Sequence, residues 1–420
     1  MPAPPDPRLA GRIAFTHPDF TVYEIARFFI VIALEMQSVA VGWQVYEITH
    51  RALDLGLVGL AQFLPGIIFF LAAGHAADRF DRRKLLMFCY AGFALCSSLL
   101  FAISWHGIHN VHPIYAVLVV LGTVRCFNGP ASRALLPQLV PQEHFPNAVA
   151  WNSSVFQGAT ILGPSVGGLL YALFHGAEAV YGMAAIAAVA SVISLRWIKL
   201  RPRVRRTEPF SLHTVLAGFR YIGEKRLILA SISLDLFAVL LGGAVALLPV
   251  YAREILHTGP WGLGFLRSAP GVGAAVMAIL LAHRPLKGRS GPTMLWAVAS
   301  FGVFTIAFGV SHSMILSLLA LFLCGASDMV SVVIRATLIQ LGTPDEMRGR
   351  VSAVDMLFIG ASNQLGEFES GLTAHWFGTV PSVVLGGIGT LVVIALWAWI
   401  FPELRQTDKL EEFETEPSRD

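Results

Sequence analysis

Apolar runs of about twenty residues, separated by short polar connections, fill most of the 420-residue chain. An α-helix rises 1.5 Å per residue, so a run of this length crosses a bilayer core as helix. Twelve such runs lie near 23–47, 54–77, 84–105, 113–139, 147–174, 179–199, 227–250, 261–283, 292–312, 314–340, 350–376 and 379–402. The pattern predicts an all-α integral membrane protein of twelve transmembrane helices.

The runs repeat. A shift of 203 residues lays Gly122 on Gly325, Pro141 on Pro344, Ala150 on Ala353, Gly163 on Gly366 and Gly168 on Gly371. Packing and turn residues recurring in order, half a chain apart, argue for a duplicated six-helix unit. The expected organisation is a cytoplasmic tail at 1–22, a six-helix bundle at 23–199, a cytoplasmic linker at 200–226, a second bundle at 227–402 and a cytoplasmic tail at 403–420. Two such pseudo-symmetric bundles facing a central cavity form a transporter architecture, with substrate bound near the bilayer midplane.

Composition agrees. The chain is 55% hydrophobic and 14% charged, with a mean hydropathy of +0.65, which excludes an ordinary soluble domain. Net charge is +3, and its basic residues cluster in loops rather than along a groove, which argues against nucleic-acid binding. Basic or polar connections follow the even-numbered spans, so both termini are expected in the cytoplasm. The largest basic block, Lys199, Arg201, Arg203, Arg205 and Arg206, reads as a topology anchor touching anionic lipid headgroups, or as a regulatory partner site. The first 22 residues lack the apolar core of a signal peptide. Cys89, Cys96, Cys126 and Cys324 fall inside apolar runs without metal-ligand spacing. No phosphate loop, HExxH or Ser-His-Asp set is apparent, so neither ATP-driven transport nor an enzyme is expected, nor any cofactor.

The dense charge cluster of the first half is Gly74-His75-Ala76-Ala77-Asp78-Arg79-Phe80-Asp81-Arg82-Arg83-Lys84. It resembles the loop between spans two and three of the major facilitator superfamily, with Gly74, Asp78, Arg79, Arg82 and Arg83 matching and Asp81 standing where that family usually has Gly. Arg125-Cys126-Phe127-Asn128-Gly129 in span four resembles the superfamily's R-x-x-Q-G pattern. Gly163-Pro164-Ser165-Val166-Gly167-Gly168 in span five resembles the GPxxGG motif of its drug-antiporter branches. Short segments such as Ala26-Arg27-Phe28-Phe29 and Thr343-Pro344-Asp345-Glu346 look like the enterobactin-exporter group and its macrolide-efflux relatives. The resemblance implies a gating role for the loop residues, a monomer, and residence in a bacterial inner membrane.

Charges inside the spans carry the candidate chemistry. One at mid-bilayer costs at least ~2.5 kcal/mol and persists only where it faces protein or water. Arg125 is therefore a functional candidate; the resemblance to the antiporter branches implies a role in proton transfer or in holding an anionic group, and the alternative is a tie between helices. The repeat sets Asp328 of span ten opposite it, and Asp328 is the first choice for a coupling carboxylate. Glu35 in span one is the second, unless it is permanently paired with Arg125 or another cation; Asp235 in span seven is the third. Gln37, Trp43 and Asn128 are expected to line a substrate cavity. Arg133 is expected to latch onto Asp78 in one access state, and Arg335 to latch a loop. The GPxxGG glycines are expected to pack span five on a helix of the other half, favouring export, or to be small-residue packing without direction. Glu367 and Glu369, replacing Pro164 and Val166 in the second copy, are expected to remove that packing there and to face the outer side. His106, His109 and His112 read as an outer loop or as weak metal ligands.

The expected function is secondary active export of amphipathic organic molecules, siderophore-like or drug-like, by proton antiport with alternating access. Its partners would be a small organic substrate, protons and membrane lipid. An importer or lipid transporter of the same fold, or a non-transporting membrane scaffold or sensor, stays open.

Overall fold

A computed structural model describes residues 11–108, 110–199, 212–284 and 289–406. His109, Lys287, Arg201, Arg203, Arg205 and Arg206 and the side chain of Asp78 lie outside the described residues. Among those described there is no strand, and twelve long helices stand where the apolar runs predict them. Spans one to six are α1 (Pro18–Thr49), α2 (Ala52–Arg79), α3 (Arg82–Trp105), α4 (His112–Leu135), α5 (Phe145–Phe174) and α6 (Ala177–Leu195). The linker contributes α7 (Leu212–Glu224). Spans seven to twelve are α8 (Arg226–Gly242), α9 (Gly259–His283), α10 (Ser290–Gly309), α11 (Met314–Leu341), α12 (Asp345–Phe377) and α13 (Thr379–Ile400), followed by the short α14 (Pro402–Gln406).

Ten of these helices are long and apolar enough to cross a membrane. The other two long ones, α5 and α12, carry more polar residues. Large apolar side chains such as Phe88, Ile186, Trp296, Ile315 and Trp399 point outward. Such a surface is at home in lipid, where the helix satisfies its own backbone groups. Span seven is the least regular: after Gly242 the chain passes through a 3₁₀ turn, Ala244–Leu247, and a π-helical turn, Tyr251–Ile255.

The basic connection after span two is shorter than the charge pattern suggests, because α2 continues through Gly74 and Asp78 to Arg79 and α3 begins at Arg82. Asp81 stands in extended backbone, φ −61°, and its side chain accepts the backbone N–H of Lys84. This is an N-cap, which aspartate supplies and glycine cannot supply with a side chain. Arg83 donates to the carbonyls of Ile198 (2.7 Å) and Arg196 (2.9 Å), just past the end of α6. Arg79 is exposed and Arg82 half-buried.

The chain divides into two compact units, Met1–Gln44 with Leu64–Phe210, and Val45–Phe63 with Ser211–Asp420. In the first, α5 crosses α1 at backbone distance. A Cβ on Gly167 would lie 2.7 Å from Met36 Cα, and one on Gly163 would lie 2.5 Å from Glu35 Cβ. Gly163, Pro164, Gly167 and Gly168 are all buried. Gly163 and Gly167 of the GPxxGG motif thus pack on span one of their own unit, because α1 presents its backbone to them. Side chains tie the rest: Ser191 donates to Ala26 O, and Gln44 joins Ser104 to Tyr181.

The second unit repeats the crossing. A Cβ on Gly366 of α12 would meet Leu240 O at 3.0 Å and Val239 O at 3.1 Å on α8. One on Gly371 would come within 2.7 Å of Gly56 Cα in α2. Contrary to expectation, the second copy keeps its small-residue packing, because Gly366 and Gly371 survive where Pro164 and Val166 do not. Its core gathers Leu234, Met294, Val298, Ile334 and Leu338. The linker helix α7 docks on α12: Gly218 faces Arg350 O, Phe219 meets Phe358 edge to face, and Tyr221 donates to Gly342 O at 3.1 Å.

A buried charge cluster as candidate functional site

Three helices of the second unit bring four charged side chains together. Asp235 sits midway along α8, whose other charged residue is Arg226 at its start. Asp328 and Arg335 lie seven residues apart on α11, about two turns, and so share a face. Asp355 comes from α12. Arg335 is only 3% exposed and Asp235 6%. Arg335 Nη1 is in ion-pair contact with Asp235 Oδ2, and its Nε lies 3.6 Å from Asp355 Oδ1. The Asp355 oxygen is buried without a hydrogen-bond partner, as is Ser331 Oγ, one turn from both Asp328 and Arg335.

The charges do not balance. Three carboxylates face one guanidinium, and charges taken out of water cost several kcal/mol each unless paired. Arg335 spans Asp235 and Asp355, and among the described residues Asp328 makes no ion pair of its own within this group. Such an arrangement favours binding one or more protons from within the bilayer depth, and releasing them where water or a cation arrives.

Two of the predicted coupling residues, Asp328 and Asp235, thus come together. Arg335, read as a loop latch, is instead the buried cation of the site. Asp355 went unnoticed because it stands five residues into the predicted span, where a charge reads as interfacial; its spacing from the predicted start was the one available signal.

The remaining candidates are dispersed. Glu35 is half-buried on α1 beside Gly163. Gln37 and Trp43, expected at substrate, are packed inside the first unit: Gln37 is 1% exposed and accepts from Ser97 Oγ at 2.6 Å, and Trp43 lies edge-on to Tyr171. Each is committed to a neighbouring span, which differs from the ligand-facing placement expected. Arg125 is half-buried on α4, and Asn128 one turn on has a buried Oδ1 without a partner. Arg133 is exposed. Glu367 is half-buried, because Gly59 of α2 leaves room for it; a Cβ on Gly59 would lie 2.9 Å from Glu367 Cβ. Glu369 is likewise half-buried. His106 turns its Nδ1 to Ala102 O at the end of α3.

Known proteins can be set beside this geometry. A family described as transmembrane secretion effector, within the major facilitator superfamily, matches residues 12–418. A protein of Shigella boydii serotype 4 (strain Sb227) named enterobactin exporter EntS is 27% identical over 399 residues, covering 93% of this chain and 94% of that protein. The protein of that name in Escherichia coli O81 (strain ED1a) gives the same figures. Among solved structures, a bacterial homologue of the human lysosomal transporter Spinster, inward-facing and unoccupied, superposes with a TM-score of 0.72 at 13% identity, over 92% of this chain and 98% of that one. A D-xylose-proton symporter gives 0.67 at 16%, over 91% and 97%.

Proposed function

The chain belongs to the transmembrane secretion effector family of transporters, and from that premise we propose that it exports amphipathic organic molecules, siderophore-like or drug-like, in exchange for protons by alternating access. The observation that carries the reading is the Asp235–Asp328–Arg335–Asp355 cluster, an excess of acid at bilayer depth. A membrane protein without a coupling ion has no reason to keep it. Relatives named for enterobactin export support the siderophore-like substrate class and the outward direction. The basic connections after even-numbered spans support a bacterial inner-membrane protein with both termini in the cytoplasm.

In the cycle proposed, substrate enters from the cytoplasm or inner leaflet while the acid cluster is short of protons. A proton arriving from outside neutralises Asp328, changes the pull on Arg335 and favours substrate release. The opposite step returns the proton to the cytoplasm.

The test is proton flux into liposomes containing the purified protein, read with an internal pH dye, against a panel of siderophores, macrolides and lipids. Substrate-dependent collapse of an imposed gradient, lost in Asp328→Asn, is the expected result. Substrate crossing without proton movement would overturn the coupling, and net inward substrate flux driven by the gradient would overturn the direction.

A further inference from the structure

A second buried acid lies in the first unit, outside the cluster described. Glu24, two turns into α1, is 2% exposed. Its Oε1 accepts from Asn152 Nδ2 of α5 at 2.7 Å, and its Oε2 is buried with no hydrogen-bond partner. Arg27 lies one turn along, at the i,i+3 spacing that puts two side chains on one helix face. Its guanidinium is used elsewhere: Nη1 donates to Asn152 O at 2.6 Å, and the group lies over the Phe156 ring, 5.3 Å from its centroid. The other titratable groups around Glu24 are Tyr23 on its own helix and Tyr90 from α3. Tyr23 is bonded to Ser132 of α4 at 2.5 Å.

An ionised carboxylate with one oxygen unsatisfied and almost no water is costly, and a protonated one carries no charge to bury. We propose that Glu24 is a proton-binding site of the first unit, with Oε2 holding the proton while Arg27 is engaged on Asn152. Loss of that proton creates a carboxylate that draws the Arg27 guanidinium off the Asn152 carbonyl and onto itself, so one proton is exchanged for one ion pair. Asn152 serves both states, through its side-chain amide and its backbone carbonyl, and α1 is thereby tied to α5 differently in each. The site deepens the proton-exchange reading, and rests on that reading only for its use in transport.

The test is pH-difference infrared spectroscopy of the purified protein in lipid without substrate. A protonated-carboxyl C=O band that disappears on raising the pH is expected in wild type and in Asp328→Asn, is expected to be lost in Glu24→Gln, and to return at an altered position in Glu24→Asp. A band set unchanged by Glu24→Gln overturns the proposal. Should that variant not fold, wild type decides: modification of Glu24 by a membrane-soluble carbodiimide at low pH but not at high pH supports the site, and no modification at any pH overturns it. Failure of the coupling reading shows instead as absent proton flux with the Glu24 band intact.

Discussion

Removing the cation from the buried cluster is the sharpest perturbation the second unit allows. Arg335→Met keeps much of the side chain's length and apolar volume but leaves Asp235, itself 6% exposed, facing Asp355 and Asp328 with no positive charge. Breaking a buried pair on one side costs about 3–5 kcal/mol, because the survivor's charge stays buried and unpaired. At about 1.4 kcal/mol per factor of ten, that is roughly a hundred- to several-thousandfold in the unfolding equilibrium. Replacing both members by apolar groups is often neutral, so Arg335→Met with Asp235→Leu recovers most of the loss. Reversible denaturant unfolding in mixed micelles, followed by tryptophan fluorescence, measures both variants. Lowering the pH should also shrink the single variant's deficit, since protonated carboxyls carry no charge to bury. A single variant within about 1 kcal/mol of wild type, or a double variant losing as much as the sum of its parts, would refute the reasoning.

Three further outcomes follow from the same contacts. Gly167→Leu puts a side chain where a Cβ alone lies 2.7 Å from Met36 Cα, and should cost at least the ~1–3 kcal/mol of overpacking; Gly158→Ala, with nothing within 4 Å, should be close to neutral by the same unfolding assay. Tyr46→Phe removes the hydroxyl that donates to Glu254, beside the 3.9 Å Arg253–Glu47 pair, and should raise hydrogen exchange across 45–63; unchanged exchange would show that the glycine contacts alone hold the segment. Tyr221, on the linker helix outside the membrane spans, has its hydroxyl pKa raised above the usual tyrosine value by burial. A raised acid is favoured protonated in the fold, so its bond to Gly342 O is fully present below about pH 10 and lost as pH rises through the higher folded value. Tyr221→Phe should cost about 0.5–1.5 kcal/mol at neutral pH and lose that difference in alkali, measured by proteolysis of the linker.

The helices were legible because each is a long apolar run, and hydropathy over twenty residues is insensitive to errors of a few positions. The repeat was legible for a related reason: glycines and prolines recur in order, and the structure puts Gly163 and Gly366 at equivalent crossings in the two units. Partners were less so. A glycine signals close approach but not to which helix, so the contact of α5 with α1 could not be read from the motif. Side-chain roles near span ends were the hardest. Arg335 and Asp355 look interfacial by position, yet α11 and α12 extend beyond the apolar runs, to Leu341 and back to Asp345, and carry both residues to buried depth. Glu24 escaped notice likewise, since α1 begins at Pro18, five residues before the apolar run.

The placement of Asp355 on α12 bears on how a proton could do mechanical work. That helix is held along its length in the second unit: at one end by α7, where a Cβ on Gly218 would sit 2.8 Å from Arg350 O; in the middle by Arg335; farther on by Gly366 against α8 and Gly371 against Gly56. The glycine contacts are backbone on backbone, with no side chain to flex, and packed interfaces of that kind shift between discrete arrangements rather than deform gradually. The Asp355–Arg335 contact is different. At 3.6 Å it exceeds hydrogen-bond length, and its strength depends on how many protons the three carboxylates share. In the proton exchange proposed above, a change of one proton acts on this side-chain contact, while the backbone contacts at the glycines favour movement of α12 as a body.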